Sequence, residues 1–459
     1  MRIYDTLSET KKEVPIKQIK FFVCGMTVNN RPHLGHGRTY VFFDSFVRYL
    51  RSQGVNVFYL QNVTDVDDKI IDAAAKNETT WKKLARQIEK EYHSCEKKLG
   101  IISVTRYARA TDYIKQIVRQ IQTLIAKGHA YLVPHDGYYF DITTFPDYGK
   151  LSKRTVSQAD DGVSRIDDSV HKRNKGDFNL WKFSKEGEPR WKTPLGAGRP
   201  GWHIEDTAIT EYFFGPQYDI HGAAIDLKFP HHEAEIAQQE AASGKKPLVD
   251  IWMHAGFLLV NGQKMSKSLG NFITIENFLQ TYSPQVLRYL ALSYHYRSPM
   301  DYNDSVARNA QAALETIEQF ILRLTLVSKT GAISSTIEKE IAHLTADFHH
   351  ALEDDFNTPQ ALATLFSFIN TYEKTWHTLT KKEALGIQRA LRELLATIGL
   401  TFPSKIAVPR AIERLVDERE AYRRNKQFIQ SDTLRNKLQE LGYSVEDTPL
   451  GPFVRKVVR

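Results

Sequence analysis

Residues 19–60 are the stretch that most constrains the fold, because two strand-like apolar runs flank a helical segment. Residues 19–24 (IKFFVC) form a short apolar run typical of a buried strand. Residues 34–50 carry apolar side chains at helical spacing, and residues 55–60 (VNVFYL) are a second strand candidate. A strand, a helix and a second strand open a parallel sheet, so the sequence predicts an α/β fold.

The rest of the chain predicts further domains. After the first sheet segments comes a stretch rich in Gly, Asp and Pro that suits an insertion, and strand and helix signals then resume. Apolar side chains on one face of the segment from residue 305 indicate a helical bundle. A linker follows it. The last module is basic, because residues 405–459 contain twelve Lys or Arg and eight Asp or Glu. We therefore expect the first half of a Rossmann-type sheet domain (1–110), an inserted connective domain (111–217), the second half (218–304), a helical bundle (305–402) and a small basic module (403–459).

Composition narrows the class of protein. Among the 459 residues, 42% are hydrophobic and 25% are charged, which is typical of a globular protein and argues against disorder. There is no apolar run of the length that spans a bilayer, and the first residues lack a signal-peptide pattern. Cys24 and Cys95 are too few for a disulfide framework and suit a reducing compartment. We expect a cytoplasmic protein without a membrane partner. Its net charge of +8 is compatible with a polyanionic ligand.

The tetrapeptide His33-Leu34-Gly35-His36 follows the first strand and opens the predicted helix. A helix N-terminus at the carboxyl edge of a parallel sheet binds anions through its free N–H groups and its dipole. His33 and His36 share one face of the first turn and can donate to phosphate oxygens. Gly35 has no side chain, so a flat base can approach the backbone there. The alternative is a helix start with two solvated histidines.

A second motif, Lys264-Met265-Ser266-Lys267-Ser268, precedes a predicted turn. Two lysines and two small hydroxyls on a mobile turn can bring positive charge to a triphosphate, and preplaced cations stabilise a departing pyrophosphate. By itself the pentapeptide also fits a solvated basic loop. Its occurrence in an α/β chain that carries the histidine motif upstream argues for nucleotide binding.

These two motifs are the signatures of class I aminoacyl-tRNA synthetases, and longer stretches resemble the cysteinyl-tRNA synthetase family. In chain order they are FFVCGMTV, HLGHGRTYVFFD, NVTDVDDKII, FNLWKFSKEGEPRW, GAGRPGWHIE, FPHHEAEIAQ, KMSKSLGN, HYRSP and DDFNTP. The resemblance implies that the chain activates L-cysteine with ATP and Mg²⁺, releasing pyrophosphate, and loads cysteine onto the 3' end of tRNA(Cys). It also implies a monomer whose inserted domain serves the tRNA acceptor end and whose last module binds the anticodon.

The resemblance also assigns roles to individual residues. The expected catalytic residues are His33, His36, Lys264 and Lys267. The predicted ATP-binding residues are His33, Gly35, His36, Lys264, Met265, Ser266, Lys267 and Ser268. Thr64, Trp202 and Asp226 are expected to contact the amino acid, with Asp226 near its ammonium group. An isolated tryptophan is more often plain core, so that alternative stays open for Trp202.

A metal site is expected beside the amino acid. His231 and Glu235 lie four residues apart on a predicted helix and share a face, and Cys24 ends the first strand in the ligand crevice. The family holds Zn²⁺ with two Cys, a His and a Glu, and the matching positions here are Cys24, Asp206, His231 and Glu235. Asp206 departs from the family pattern, which has Cys. Because Asp is an acceptable ligand, we expect one zinc per chain in a harder, weaker site. The alternative is that zinc is lost and Asp206 is solvated or salt-bridged.

Other departures cluster around the expected substrate pocket. Residues 29–30 are Asn-Asn where the family usually has Tyr-Asp, and residues 223–225 are Ala-Ala-Ile in place of a Gly-rich run. The Cβ atoms of the two alanines are expected to crowd a ligand near the backbone. These departures keep two alternatives open: a ligase of the mycothiol type that joins cysteine to a small amine, and a catalytically degenerate RNA-binding paralogue. The basic last module argues against the first, and the intact ATP motifs argue against the second.

Overall fold

The computed structural model describes residues 1–154, 171–266, 269–404 and 408–456. Its contacts divide the chain into two compact units. The first contains Met1–Ala307 and Leu352–Thr358, and the second contains Arg308–Ala351 and Pro359–Arg459.

The first unit is built on a five-stranded parallel sheet with the order β12-β11-β3-β4-β5. The strands of this unit are β1 (Arg2–Asp5), β2 (Thr10–Glu13), β3 (Gln18–Val23), β4 (Asn56–Val63), β5 (Arg106–Arg109), β6 (Ala130–Val133), β7 (Gly137–Phe140), β8 (Phe178–Phe183), β9 (Trp191–Thr193), β10 (Gly196–Pro200), β11 (Tyr218–Ala224), β12 (Val249–Ala255), β13 (Leu258–Val260), β14 (Gln263–Lys264) and β15 (Met300–Tyr302). Its helices are α1 (Leu34–Ser52), α2 (Asp68–Lys76), α3 (Trp81–Lys98), α4 (Ile114–Ala126), α5 (Ile204–Phe214), α6 (His231–Ser243), α7 (Ile275–Thr281) and α8 (Pro284–Ser293).

The sequence explains why β3 lies at the centre of this sheet. Phe21, Phe22 and Val23 are fully buried, as expected for a strand covered on both faces. Phe21 is in register with Ile220 of β11 on one side and with Tyr59 of β4 on the other. The crossover from β3 to β4 passes through α1, as the alternation of apolar runs predicts. The α/β, Rossmann-type fold class is therefore confirmed.

The stretch between β5 and β11 carries a second sheet. Its five strands are antiparallel in the order β6-β7-β8-β10-β9. Helix α5 follows this sheet and leads back to β11 of the parallel sheet. The connection places Asp206, in the first turn of α5, near the carboxyl edge of β3.

The second unit is mainly helical. Its elements are α9 (Asp304–Arg323, which begins in the first unit), α10 (Ser335–Glu353), α11 (Thr358–Tyr372), α12 (Lys381–Thr397), α13 (Arg410–Arg424), α14 (Phe428–Glu440), β16 (Tyr443–Thr448) and β17 (Gly451–Lys456). Helix α11 ends at Tyr372, and the chain then forms a short 3-10 turn at Trp376–Thr378. The last module has its own small core of Ile412, Val416, Leu438 and Val445. In the described ranges, no helix has the length and apolar character needed to cross a membrane.

Candidate functional site

A cavity of about 370 Å³ lies at the carboxyl edge of the parallel sheet. Four of its lining residues end or directly follow four neighbouring strands: Cys24 after β3, Thr64 after β4, Ala224 at the end of β11 and Gly256 after β12. Ligands of open α/β sheets bind at this edge, because strand ends and helix N-termini converge there. The remaining lining residues are Gly25, Met26, Thr27, Asn29, Asn30, His33, Gly35, His36, Thr39, Tyr40, Asn62, Lys69, Trp202, Asp206, Asp226, Leu227, His231, Phe257, Leu258, Lys264, Met265 and Phe272.

His33 and His36 cap the N-terminus of α1 at one end of the cavity. His33 Nδ1 accepts from the backbone N–H of Gly35 at 3.1 Å, and His36 Nδ1 accepts from the backbone N–H of His33 at 3.3 Å. Burial lowers the pKa of His33 to about 4, and burial with the charge of His33 lowers the pKa of His36 well below its usual value. Both imidazoles are therefore neutral at pH 7 and carry their proton on Nε2. The two rings can donate hydrogen bonds to a ligand at this end of the cavity. Any positive charge needed there must come from other residues.

Gly35 separates the two histidines where a side chain would not fit. A Cβ at this position would lie 2.9 Å from Cε1 and 3.0 Å from Nδ1 of His33. The absence of a side chain thus preserves the stacked rings of His33 and His36, whose centroids are 3.8 Å apart. It also leaves the first turn of α1 open to a ligand.

The predicted lysine motif lies along the same cavity. Lys264 and Met265 line it, and Lys264 Nζ stands 4.8 Å from the centroid of the Phe257 ring. The backbone N–H of Ser266 donates to Asn271 Oδ1 at 2.8 Å, which holds the start of the turn. Lys267 and Ser268, also predicted to bind ATP, lie outside the described residues.

The predicted amino-acid residues lie at the other end. Thr64, Trp202 and Asp226 all line the cavity. Thr64 Oγ1 donates to buried Glu205, and Lys69 Nζ stands 4.8 Å from the centroid of Trp202. The Trp202 ring stacks on that of His231 with centroids 4.5 Å apart, so this tryptophan connects the cavity to the metal-donor cluster instead of filling the core.

The four predicted metal ligands come together. Cys24, Asp206, His231 and Glu235 each offer a donor atom, and these atoms lie within 4.8 Å of one another. His231 Nε2 is 2.9 Å from Asp206 Oδ2 and 3.1 Å from Glu235 Oε1, while Cys24 Sγ is 3.7 Å from Asp206 Oδ2. All four residues are at most 5% exposed. One sulfur, one imidazole nitrogen and two carboxylates are a donor set that Zn²⁺ accepts.

The electrostatics of the cluster also suit a cation. Burial raises the pKa of the Cys24 thiol, and the charges of Glu235 and Asp206 raise it further. Burial raises the pKa of Glu235, with Asp206 and Glu205 adding to the effect. Neither carboxylate oxygen of Glu235 accepts a hydrogen bond from the described residues, although both are buried. A divalent cation would satisfy these oxygens and favour the thiolate, so the residues present fit a zinc ion.

The expectation that Ala223 crowds a ligand is wrong. Ala223 is 1% exposed and belongs to the apolar core, because side chains alternate along β11. Its neighbour Ala224 does line the cavity, as do Asn29 and Asn30. Besides Asp206, the departures that reach the ligand space are therefore positions 29, 30 and 224.

Sequence reasoning missed several polar residues around the cluster. Asn62 Nδ2 donates to Asp206 Oδ1, and Cys24 Sγ lies 3.1 Å from His221 Nε2 and 3.3 Å from His232 Nε2. Burial lowers the pKa of His221 and of His232, so both are neutral. One signal was available: His221 lies in β11 beside strand β3 that leads to Cys24, and His232 directly follows the predicted ligand His231.

Three family models match successive parts of the chain. Residues 10–312 match the class I (C) tRNA synthetase catalytic domain, residues 347–403 the DALR domain, and residues 407–455 the cysteinyl-tRNA ligase anticodon binding domain.

Curated relatives match over nearly the whole length. The cysteine–tRNA ligase of Carboxydothermus hydrogenoformans is 40% identical over 469 aligned residues that cover 100% of both chains. That of Coxiella burnetii is 39% identical, covering 99% of this chain and 100% of its own. That of Thermoplasma acidophilum is 39% identical, covering 97% and 98%.

Solved structures share the fold at low identity. The Mycobacterium tuberculosis methionyl-tRNA synthetase in complex with methionyl-adenylate has a TM-score of 0.64 at 17% identity and covers 83% of this chain and 89% of its own. The LeuRS of Agrobacterium radiobacter, in a ternary complex, has a TM-score of 0.62 at 12% identity, covering 84% and 86%. These two likenesses bear on the fold alone.

Proposed function

The chain belongs to the class I cysteinyl-tRNA synthetase family and is an ATP-dependent cysteine–tRNA ligase, and we propose that it works through the cavity described above. One observation carries the proposal: the histidine motif, the first lysine of the second motif and the four metal-donor residues line or border one cavity. In the first step the carboxylate of L-cysteine attacks the α-phosphate of ATP, giving cysteinyl-adenylate and pyrophosphate. In the second step a terminal hydroxyl of tRNA(Cys) takes the cysteinyl group.

The catalytic residues position the phosphates and stabilise developing charge. His33 and His36 donate from Nε2 toward phosphate oxygens, as their Nδ1 atoms are occupied as acceptors. Lys264 and Lys267 supply positive charge to the departing pyrophosphate, and Mg²⁺ accompanies ATP. No protein nucleophile is required, because orientation and preplaced charge lower the barrier.

The remaining ATP-binding residues shape the nucleotide end. Gly35 admits the base to the first turn of α1, and Met265 contacts it from the opposite loop, since both line the cavity. Ser266 and Ser268 add hydroxyl donors to the phosphates.

The amino-acid end selects the substrate. Asp226 binds the ammonium group, Trp202 covers the side chain, and Thr64 orients the carboxylate end through its link to Glu205. Zinc held by Cys24, Asp206, His231 and Glu235 supplies a soft Lewis acid that prefers a thiolate to a hydroxyl. That preference matters because size alone separates serine from cysteine poorly, by about 1–3 kcal/mol.

The second unit contacts tRNA. Arg424, Lys426 and Arg435 are exposed on the basic last module and are suited to bind phosphates. Arg423 is engaged by Asp447 at 3.0 Å and contributes less. In this proposal residues 111–217 hold the acceptor end, residues 305–402 form the helical bundle, and residues 403–459 bind the anticodon. The enzyme acts as a monomer in the cytoplasm.

Two other functions are disfavoured by specific observations. A mycothiol-type ligase does not need a tRNA anticodon module, yet residues 407–455 match that domain. A degenerate RNA-binding paralogue has no need of the packed ATP-end histidines, which the structure retains around Gly35.

The test is ATP–pyrophosphate exchange with each of the twenty amino acids, together with bound zinc measured in the same preparation. We expect exchange with cysteine and not with serine, about one zinc per chain, and loss of both after chelation. Cysteine-dependent exchange without zinc would refute the metal assignment and leave the reaction intact. No exchange with any amino acid would refute the proposed function.

A further inference from the structure

A second set of metal donors lies behind the first. Cys24, His221, His232 and Glu235 bring a sulfur, two imidazole nitrogens and a carboxylate oxygen within 4.8 Å of one another. We call this the inner set, and we call Cys24, Asp206, His231 and Glu235 the pocket-facing set. The two sets share Cys24 and Glu235. His221 and His232 are fully buried and do not line the cavity. Asp206 and His231, the two residues found only in the pocket-facing set, do line it.

A hydrogen-bond chain determines which nitrogen of His232 carries the proton. Thr6 Oγ1 donates to the carbonyl oxygen of Trp252 at 3.1 Å, so it accepts from His254 Nδ1 at 2.8 Å. His254 Nε2 is then unprotonated and accepts from His232 Nδ1 at 2.8 Å. His232 Nε2 therefore presents a lone pair, 3.3 Å from Cys24 Sγ. Ligating histidines are oriented in the same way, by donation from the other ring nitrogen to a fixed acceptor.

His221 approaches the same sulfur from the neighbouring strand. Its Nε2 is 3.1 Å from Cys24 Sγ, and its Nδ1 is 2.7 Å from the hydroxyl of Tyr218. The Cys24 thiol can donate its one proton to His232 Nε2 and accept from His221 Nε2, since Tyr218 can donate to His221 Nδ1. The buried oxygens of Glu235 accept no hydrogen bond from the described residues, although His231 Nε2 lies 3.1 Å from Oε1. Two imidazoles, a sulfur and a carboxylate that accepts no hydrogen bond lie around one point, and zinc binds such a donor set.

Asp206 differs from Glu235 because it also accepts a hydrogen bond from the amide of Asn62. Its Oδ1 accepts from Asn62 Nδ2, and its Oδ2 lies 2.9 Å from His231 Nε2. Its carboxylate is thus satisfied by the protein without a metal. Asp206 therefore depends on a metal less than Glu235 does, whose oxygens accept no hydrogen bond from the described residues.

We propose that the inner set is a second zinc position, and that it holds the ion when no amino acid is bound. The inference rests on the proposed function only in taking zinc as the metal. It gives the chain a way to retain zinc although Asp206 stands where the family has a thiolate. The pocket-facing set remains the position next to the substrate thiol, and Cys24 and Glu235 serve both.

X-ray absorption at the zinc edge tests the proposal on the unmodified full-length chain without cysteine. We expect one sulfur and two imidazoles around the ion. A shell with a single imidazole would overturn the proposal. This measurement needs no substitution, so it stands even where a variant fails to fold.

Two neighbouring histidines provide matched variants. Zinc affinity is measured by chelator competition in His232→Gln and His231→Gln, which remove one ligand from the inner and from the pocket-facing set respectively. Losing an outer-shell partner alone weakens zinc sites about 10–100-fold, so we expect at least about 100-fold weaker binding in His232→Gln. We expect a change of only a few-fold in His231→Gln. The reverse pattern would overturn the proposal.

The same preparations separate this inference from the proposed function. If cysteine drives pyrophosphate exchange but X-ray absorption shows one imidazole on the zinc, the ligase assignment is correct and the inner position is wrong. A shell of two imidazoles without exchange means that the inner position is correct and the ligase assignment is wrong.

Discussion

Replacing Cys24 by serine removes the one sulfur that both donor sets share. The Cys24 Sγ atom is 3.1 Å from His221 Nε2, 3.3 Å from His232 Nε2 and 3.7 Å from Asp206 Oδ2, so a metal in either set needs it. A serine hydroxyl is not ionised at neutral pH and is a much poorer zinc ligand than a thiolate. The variant therefore weakens binding wherever the ion resides.

The size of the effect follows from the number of ligands. One of four protein ligands is lost, and losing even an outer-shell partner weakens zinc binding by about 10–100-fold. We therefore expect at least about 100-fold weaker zinc binding, which corresponds to about 2.7 kcal/mol. Because zinc recognises the substrate thiol in the proposed mechanism, kcat/KM for cysteine in pyrophosphate exchange should fall by a similar factor.

Cys95 provides the matched control. It is 7% exposed, lies on α3 and belongs to neither donor set. Cys95→Ser should keep zinc and exchange within about two-fold of the unmodified enzyme, since it changes no ligand. Zinc content and exchange are measured for both variants after the same dialysis. If Cys24→Ser keeps its zinc and its rate of exchange, Cys24 is not a ligand and both donor sets are wrong.

Three further predictions concern the ATP end and the stability of the first unit. Lys264→Ala should lower the exchange rate about 100-fold at an unchanged thermal midpoint, because it removes charge from the pyrophosphate site; a normal rate would exclude that role. Arg288→Met should lower the free energy of urea unfolding by about 3 kcal/mol, because it breaks a buried ion pair of 2.8 Å with Asp44; a loss below about 1 kcal/mol would contradict this. Burial lowers the pKa of His93, but hydrogen bonds with two glutamates of its own helix outweigh this and raise it to about 9. The resulting stability should be complete below pH 6.5 and lost as the pH rises through about 9, and urea titrations of His93→Gln should lack this step.

Local patterns explain which parts of the fold could be read from the sequence. The apolar run at residues 19–24 became β3 (Gln18–Val23), and the helix expected over residues 34–50 became α1 (Leu34–Ser52). Periodicity and caps are properties of a few consecutive residues, so they can be read directly. The hairpin of β1 and β2 has the sequences RIYD and TKKE, whose mixed polarity has no strand signature. It is paired in the structure all the same, since β1 also packs against β12.

The donor cluster was only partly predictable, for a related reason. His231 and Glu235 share a helix face, so their proximity follows from a spacing of four. His221 and His232 meet Cys24 only because β11 lies beside β3 and α6 packs over that edge. That neighbourhood depends on strand order, which no local window contains. Asn62 escaped notice because nothing in its own sequence context indicates that its amide binds Asp206.

The two sets of donors bear on how a chain with Asp206 distinguishes cysteine from serine. A carboxylate oxygen is a harder ligand than the thiolate sulfur that the family has at this position. Zinc bound by Asp206 therefore binds a hydroxyl relatively better, and its preference for a thiol is weaker. The inner histidines retain the ion when no amino acid is bound, because both rings reach the shared Cys24. Asp206, already satisfied by Asn62, is then free to act as a structural acceptor at the wall of the cavity. Selectivity for the thiol then depends on the pocket-facing ligands, whereas His221 and His232 help the chain to retain the ion between substrates.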